Sequence, residues 1–398
     1  MEEYPARALE RAMKIQEVIL RAVSGQILWI HAAEIIGISD RSMRRWRRRY
    51  EEYGYDGLFD RRTQKPSPKR VPLKTVERVL RLYREQYFDF NVKHFVEKVQ
   101  QDHGIDLSYT WIKTALQMAG LVVKRRKRGR HHKRRPRRPL PGMMLHVDGS
   151  THAWLGGDEH QDLVAILDDA TSEVYYAQLV EQESTATVMA GLKAVIEQKG
   201  IFCSLYSDRG SHFFYTPTAG GAPDPGHKTQ IRRALNQLGI EMIPANSPQA
   251  RGRCERFFET WQGRLPQELR LRRITTMEAA NAFLCTEWIP YHNQTFAVQA
   301  AQSGTAFVPY AGSDLDKIFS HQEERVVAND NTVSFGKLSL QIQPQTFRFS
   351  MARCRVLVCQ HLDGILSLYY GPHLLGRYNA QGESLSALKS ARRRRKAA

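Results

Sequence analysis

The sequence predicts a multidomain chain: all-α units, then an α/β domain on a mixed five-stranded sheet, then a small β-barrel. Three observations predict it. Helical periodicity fills the first third. Short buried apolar runs alternating with amphipathic helices follow. Short alternating strands separated by turn residues close the chain. With 398 residues, 42 % of them hydrophobic, and a mean hydropathy of −0.49, the chain has enough apolar surface for real cores. Those figures exclude a mainly disordered chain. No run approaches the ~18–20 apolar residues of a membrane-spanning helix. The start, Met-Glu-Glu-Tyr-Pro, lacks the basic and apolar regions of a secretory signal. Cys203, Cys254, Cys285, Cys354 and Cys359 form no CxxC pair, which predicts reduced thiols in a cytosolic compartment.

Residues 1–60 read as a first helical domain. Lys14 to Val23 is a periodic apolar segment, and Ala32 to Ile36 is a short helix ended by Gly37. Ser39 caps the next helix, from Asp40 to about Tyr50. Met43, Trp46 and Tyr50 fall on one stripe, which turns Arg44, Arg45, Arg47, Arg48 and Arg49 outward. Helix, glycine turn and basic helix form the helix-turn-helix pattern, whose second helix enters the major groove of DNA. Arg61 to Pro72, rich in Pro, Lys and Arg, reads as a linker. Residues 72–123 then form a second helix-turn-helix or winged-helix-like domain. Its helices are Val76 to Tyr87, Val92 to Gln101, and one capped by Ser108 that stops at Gly120. Lys113 is its candidate DNA contact, with a plain packing helix as the alternative.

The net charge of +18 leaves nucleic acid, an anionic membrane surface or an acidic protein as partners. Its distribution narrows the choice. Residues 124–140 form a basic linker. From Lys124 to Arg138 there are eleven Lys or Arg residues, among them Arg125, Arg126, Lys127 and Arg128, and no acid. Such a segment buries no apolar face, so an extended connector is expected. Residues 381–398 form a basic tail ending in Arg392 to Lys396, expected to be disordered. Three clusters of one sign point to phosphate binding driven by counterion release. The connector has no amphipathic apolar face, so a membrane surface is the weakest partner.

Residues 141–300 carry the α/β pattern. Met143 to Asp148 is a strand ending in a carboxylate. Leu163 to Leu167 and Val174 to Leu179 form a hairpin around Asp168 and Asp169, which read as turn formers. Then come a helix (Ala186 to Gln198), a strand (Phe202 to Ser207), a helix (Thr229 to Leu238), a strand (Glu241 to Pro244) and a helix (Arg253 to about Leu265). The order β-β-β-α-β-α-β-α is that of a ribonuclease-H-like domain, with functional groups at strand ends. In residues 322–380, Val326, Val333 to Phe335, Leu338 to Ile342, Thr346 to Ser350, Arg355 to Cys359 and Leu366 to Tyr370 mark the strands of the barrel.

Three acids stand out by placement: Asp148 in HVDGS, Asp208 in YSDRG, and Glu255 in SPQARGRCER. The first two end neighbouring strands, and a helix starting at Arg253 can lay Glu255 across that edge. Three converging carboxylates suit hard, oxygen-seeking Mg²⁺ or Mn²⁺. Two ions ~3.5–4 Å apart can serve an in-line phosphoryl displacement. Glu259, one turn later, is a rival for the third position. The loop before Glu255 adds Arg251, and the helix adds Arg253 and Arg256, as candidate phosphate contacts.

The motifs HVDGS, YSDRG and SPQARGRCERFF resemble the integrase core of DDE transposases and retroviral-type integrases. The chain is most similar to bacterial insertion-sequence transposases, of the ISNCY-like group. The resemblance covers nearly the whole chain. It implies that Asp148, Asp208 and Glu255 are a metal-binding triad for two Mg²⁺ (or Mn²⁺) ions. It implies hydrolysis at transposon ends, then attack of the freed 3′-hydroxyl on target DNA, with no covalent protein–DNA intermediate. It also implies double-stranded DNA as partner, a homodimer or higher oligomer in a synaptic complex, and a bacterial cytoplasmic, nucleoid-associated location. Two departures matter. Asp208 and Glu255 lie 47 positions apart, longer than in many relatives, and Tyr215 to His227 reads as the insertion. No Cys precedes Cys203, so the zinc module of retroviral integrases is not expected. The alternatives are a domesticated DNA-binding regulator and a nuclease or integrase of the same fold without transposition.

Overall fold

Apolar stripes at helical spacing build the first part of the chain. The computed structural model describes residues 6–59, 71–124, 135–217, 224, 226–245 and 252–385. Arg125, Arg126, Lys127, Arg128, Arg251 and Arg392 to Lys396 lie outside these residues, as does most of the Tyr215 to His227 insertion. The chain divides into two compact units, 1–79 and 80–398. In the first, α1 (Ala6–Val23), α2 (Trp29–Ile36), α3 (Asp40–Tyr53) and a 3₁₀ turn (Gly54–Leu58) enclose one core. Ile15, Val18 and Ile19 meet Ala32, Ala33, Met43, Leu58 and Phe59 there. Gly37 ends α2 at φ 78°, a left-handed conformation that glycine adopts without strain. Two residues on, the Ser39 side chain accepts from the Ser42 amide and starts α3.

The chain continues through α4 (Leu73–Glu85), α5 (Val92–His103) and α6 (Tyr109–Met118). Asn91 and Ser108 cap α5 and α6 through the His94 and Trp111 amides. Tyr83, Tyr87, Phe90 and Phe95 form an edge-packed aromatic cluster.

The α/β domain follows the expected order. Its strands are β1 (Leu145–His152), β2 (Gln161–Asp168), β3 (Val174–Val180), β4 (Ser204–Ser207) and β5 (Glu241–Pro244). Its helices are α7 (Thr185–Lys199), α8 (Gln230–Gln237), α9 (Gly252–Gln262), α10 (Leu265–Leu271), α11 (Met277–Phe283) and α12 (Ile289–Phe296), with a π-helical turn at Leu284–Trp288. The sheet runs β3-β2-β1-β4-β5, antiparallel among β1, β2 and β3 and parallel from β1 through β4 to β5. Leu145, Val147, Val164 and Ile166 meet α7 and α8 on one face. Leu163, Ala165 and Leu167 meet α9 to α12 on the other. Asn281 and Asn293 each bridge the amide and carbonyl of a β3 residue, Leu179 and Val174 respectively. These side chains cover the otherwise open edge of the sheet.

After α13 (Leu315–Ile318) come β6 (His321–Val326), β7 (Thr332–Phe335), β8 (Leu338–Gln341), β9 (Arg355–Gln360), β10 (Leu366–Tyr370) and β11 (His373–Tyr378). They form a four-stranded sheet, β11-β10-β9-β6, and a separate β7-β8 hairpin around one shared core. Among the described residues no ladder closes the two into the expected barrel. Thr346 to Ser350 is not a strand: it follows Pro344, and Phe349 is 100 % exposed. β6 is a polar edge strand and β11 contains Gly376 beside a register shift, so neither carries a clean alternating signal.

Candidate active site and nucleic-acid interface

β1 and β4 pair in parallel, Leu145 with Leu205 and His146 with Tyr206. Two further steps of that register set Asp148 level with Asp208. There the strands part. β4 ends at Ser207, while β1 runs on to His152 along β2 alone. Asp148 therefore does not end its strand, as the sequence suggested. It sits mid-strand opposite Ala165, and the departure of β4 makes the opening beside it.

Side chains alternate along a strand, and Leu145 and Val147 face the α7 layer. Asp148, with His146 and Ser150, therefore faces the α9 layer. α9 lies on that face because Cys254, Phe257, Phe258 and Trp261 form its apolar stripe. Gln262 Nε2 donates to Ser150 Oγ at 2.9 Å, which fixes the flank of α9 that runs beside β1. Glu255 and Glu259, both exposed, share that flank with Gln262. Asp148, 8 % exposed, accepts from the Gly149 amide at 3.0 Å, and Asp208 accepts from the Gly210 amide at 2.9 Å. Among the described residues no three His, Cys, Asp or Glu side chains converge closely enough to hold a metal ion. The expected triad is thus aligned on two strands and one helix but not gathered. Like charges repel, and backbone donors already engage the two aspartates.

The two acids of the β2–β3 turn have different roles. Asp168 is the expected turn former: its carboxylate accepts from the Gly142, Ala170 and Thr171 amides. Asp169 is not. It is 0 % exposed and accepts from His146 Nε2 at 2.7 Å, Arg135 Nη2 at 2.5 Å, the Arg138 amide at 2.7 Å, and Arg253. Burial alone would raise its pKa, but the His146 and Arg138 hydrogen bonds and the Arg253 charge hold it well below the carboxylate range. Burial, helped by the Arg135 and Arg253 charges, pushes the His146 pKa down, so the neutral ring donates. His146 is two residues from Asp148, and Arg253 is two residues from Glu255. Asp169 thus ties β1 to the first turn of α9. The sequence signal was a lone histidine inside the apolar run MMLHV, because a buried polar group needs a partner.

The candidate DNA contacts divide in the same way. Arg44, Arg45, Arg47, Arg48 and Arg49 are all exposed on α3, as expected, with Met43 buried beneath. Their protein partners are local: Arg44 pairs with Asp40, Arg47 with Glu51. Lys113 is half-buried over the Tyr109 ring, Lys124 is exposed, and Arg256 is exposed on α9. Arg253 is instead committed to Asp169 and to the Arg135 carbonyl. The last arginines of the basic segment also fold onto the α/β domain: Arg137 donates to the Asp169 and Ala170 carbonyls and to Ser172 Oγ.

A second buried ionic cluster joins α5 to α10. Glu268 accepts from His94 Nε2 at 2.8 Å, pairs with Lys98 at 2.9 Å and with Arg272. Burial opposes its ionisation, but the His94 and Lys98 hydrogen bonds prevail and hold its pKa at about 2. Arg264 reaches back to Glu97 at 2.5 Å, and Tyr291 donates to the same carboxylate.

Two family profiles match the chain: a homeodomain-like domain over residues 42–116 and a helix-turn-helix domain over residues 16–67. The protein named transposase y4bF in Sinorhizobium fredii is 30 % identical over 370 residues, covering 92 % of this chain and 80 % of the relative. The transposase for insertion sequence IS1202 of Streptococcus pneumoniae is 27 % identical over 369 residues, covering 84 % and 78 %. Among solved structures, a simian T-cell lymphotropic virus intasome chain aligns over 70 % of this chain and 91 % of its own, at 13 % identity and a TM-score of 0.33.

Proposed function

The chain belongs to the transposase family of these two relatives, and on that premise we propose that it cleaves and joins DNA at Asp148, Asp208 and Glu255. The observation that carries this reading is the β1–β4 register, which sets Asp148 level with Asp208 beside the helix bearing Glu255. The donor set is all carboxylate oxygen, which fits Mg²⁺ or Mn²⁺. Two such ions, when bound, supply activation of the attacking oxygen and stabilisation of the leaving oxygen. The three carboxylates hold that charge at the place where β4 leaves the sheet. The Asp169 tie keeps the first turn of α9, and so Glu255, against β1.

In this reading residues 1–60 and 72–123 bind the terminal inverted repeats. The exposed arginines of α3 read the major groove, and Lys113 and Lys124 to Arg128 follow backbone phosphates. Arg251 and Arg256 hold DNA next to the reacting strand. The small β domain, 322–380, supports assembly of two or more copies on paired ends. The protein acts in the bacterial cytoplasm on the nucleoid.

The test uses a duplex carrying the inverted repeats that flank the gene. Asp148→Asn, Asp208→Asn and Glu255→Gln should each abolish nicking and strand transfer while binding that duplex like the wild type. Each should also weaken Mn²⁺ binding measured by calorimetry on the DNA-free protein. Full strand transfer by Glu255→Gln, with loss in Glu259→Gln, would reassign the third ligand. Full activity in Asp148→Asn or Asp208→Asn would end the reading.

A further inference from the structure

On the flank of α9 away from Glu255 lies a cavity of about 220 Å³. Arg137, Arg253, Arg256, Phe257, His292 and Phe296 line it. By the same measure one water needs only about 10–15 Å³, so the space suits a ring system rather than a solvent molecule. Its chemistry is two-sided. Arg253 shares the Asp169 carboxylate with Arg135, which lies outside the lining, and Arg137 gives its donors only to carbonyls and a hydroxyl. Arg256 is exposed, and its guanidinium forms no ion pair or hydrogen bond among the described residues. The guanidinium side is therefore under-neutralised, which repels a cation and leaves a purely apolar ligand mismatched.

The floor is aromatic and uncharged. His292 is buried and its pKa is pushed down to about 4, so it is neutral near pH 7. Its Nδ1 accepts from the Trp261 indole at 2.9 Å, which fixes the ring in place. Phe257 and Phe296 pack against it. Arginines beside aromatic faces are the chemistry of an unstacked nucleotide, with phosphate on the cations and base on the rings.

Position adds a constraint. Arg253, Arg256, Phe257 and Thr260 follow i, i+3, i+4, i+7 spacing on one flank of α9, and Glu255, Glu259 and Gln262 lie on the other. A helix with its side chains is about 10–12 Å across.

We propose that this cavity takes one unpaired nucleotide of the DNA strand that crosses α9, on the flank of the helix opposite Glu255. The inference rests on the reading of the chain as a DNA strand-transfer enzyme. The full-length protein is titrated in EDTA with three 30-base-pair duplexes. One is blunt, one ends in a single unpaired 2-aminopurine, and one ends in a single unpaired abasic nucleotide, the last two made in 5′ and 3′ polarity. The 2-aminopurine duplex of one polarity should bind about tenfold tighter than the other two, with its fluorescence quenched on binding. Phe296→Leu should lose that preference and bind the blunt duplex within about twofold of wild type, whereas Arg256→Ala should weaken both duplexes and the unpaired one more. Arg256 is exposed, so its variant tests the cavity even if Phe296→Leu folds poorly. Equal binding of unpaired and blunt duplexes overturns the cavity assignment and leaves the enzyme reading standing. Equal gain from the abasic end overturns it too, because the site then holds only an anion. Failure to bind any duplex removes the reading on which the inference rests.

Discussion

Helices α3 and α9 are both arginine-bearing helices, but their arginines do opposite things. On α3 all five point to solvent, and their ion-pair partners lie within the helix, as with Arg44–Asp40 and Arg47–Glu51, while Arg47 also lies over the Trp29 ring of α2. Exposed pairs of that kind contribute about 0–1 kcal/mol, so each guanidinium can exchange its partner for a phosphate at little cost. On α9, Arg253 is bound to a fully buried carboxylate 84 positions away and to a carbonyl 118 positions away. It cannot leave without taking away one of the two guanidinium charges that hold Asp169. A basic helix is therefore not by itself a DNA surface, because part of the positive charge is architecture.

The sharpest way to break that contrast is Asp169→Asn, which keeps shape and removes charge. Arg135 and Arg253 then lose their common counter-charge at a part-buried site. The expected loss of stability is about 3–5 kcal/mol, read from urea unfolding. A loss below about 1 kcal/mol would mean that the network relaxes into solvent, and Arg253 would belong with the α3 arginines.

Glu268 sharpens the same contrast at the α5–α10 joint. Glu268→Gln should cost a comparable amount, about 3–5 kcal/mol, because Arg272 is about as exposed as Arg135 and Lys98 is more buried than either. The pH dependence has a definite sign. The folded pKa, about 2, lies below the ordinary carboxylate value, so the contribution is complete above that ordinary value and is lost as pH falls toward 2. Between about pH 4.5 and 3 the wild type should lose stability faster than the variant. His94 contributes at a higher pH. Burial lowers its pKa, so the unfolded chain takes up the proton first, and its share is lost as pH falls below about 6.5. Parallel urea midpoints for the two proteins down to pH 3 would contradict the assignment of Glu268 as the ionised centre.

Local chemistry made α3 readable and long-range pairing made α9 hard to read. The Ser39 cap, the Gly37 stop and the Met43, Trp46 and Tyr50 stripe all act within one helix, so spacing alone places the arginines outward. The order of the α/β domain was legible for the same reason, since buried runs and glycine stops punctuate it. The β1–β4 pairing that aligns Asp148 with Asp208 follows from that order. Asp169 was misread as a turn former because its neighbour Asp168 is one and because its partners, His146, Arg135 and Arg253, come from three other segments. The α5–α10 cluster joins residues more than 160 positions apart and left no pattern in either helix alone. The strand predicted at Thr346 to Ser350 shows the converse: alternation without a ladder partner gives no strand.

The smallest effect on folding should come from the arginines most exposed to the reading proposed for them. Arg44→Ala, Arg45→Ala and Arg48→Ala combined remove one surface ion pair and no buried contact, so stability should stay within about 0.5 kcal/mol of wild type. DNA binding should respond in the opposite way. If all three contact phosphates, the slope of log K against log salt should fall by about 0.9 per contact, close to three in total. If one or more reads a base edge instead, affinity for the cognate repeat should fall by more than affinity for random duplex, and the slope should fall by less. An unchanged slope together with an unchanged footprint would remove α3 from the interface. An unfolding free energy that drops by several kcal/mol would place these arginines with Arg253, as structure rather than surface.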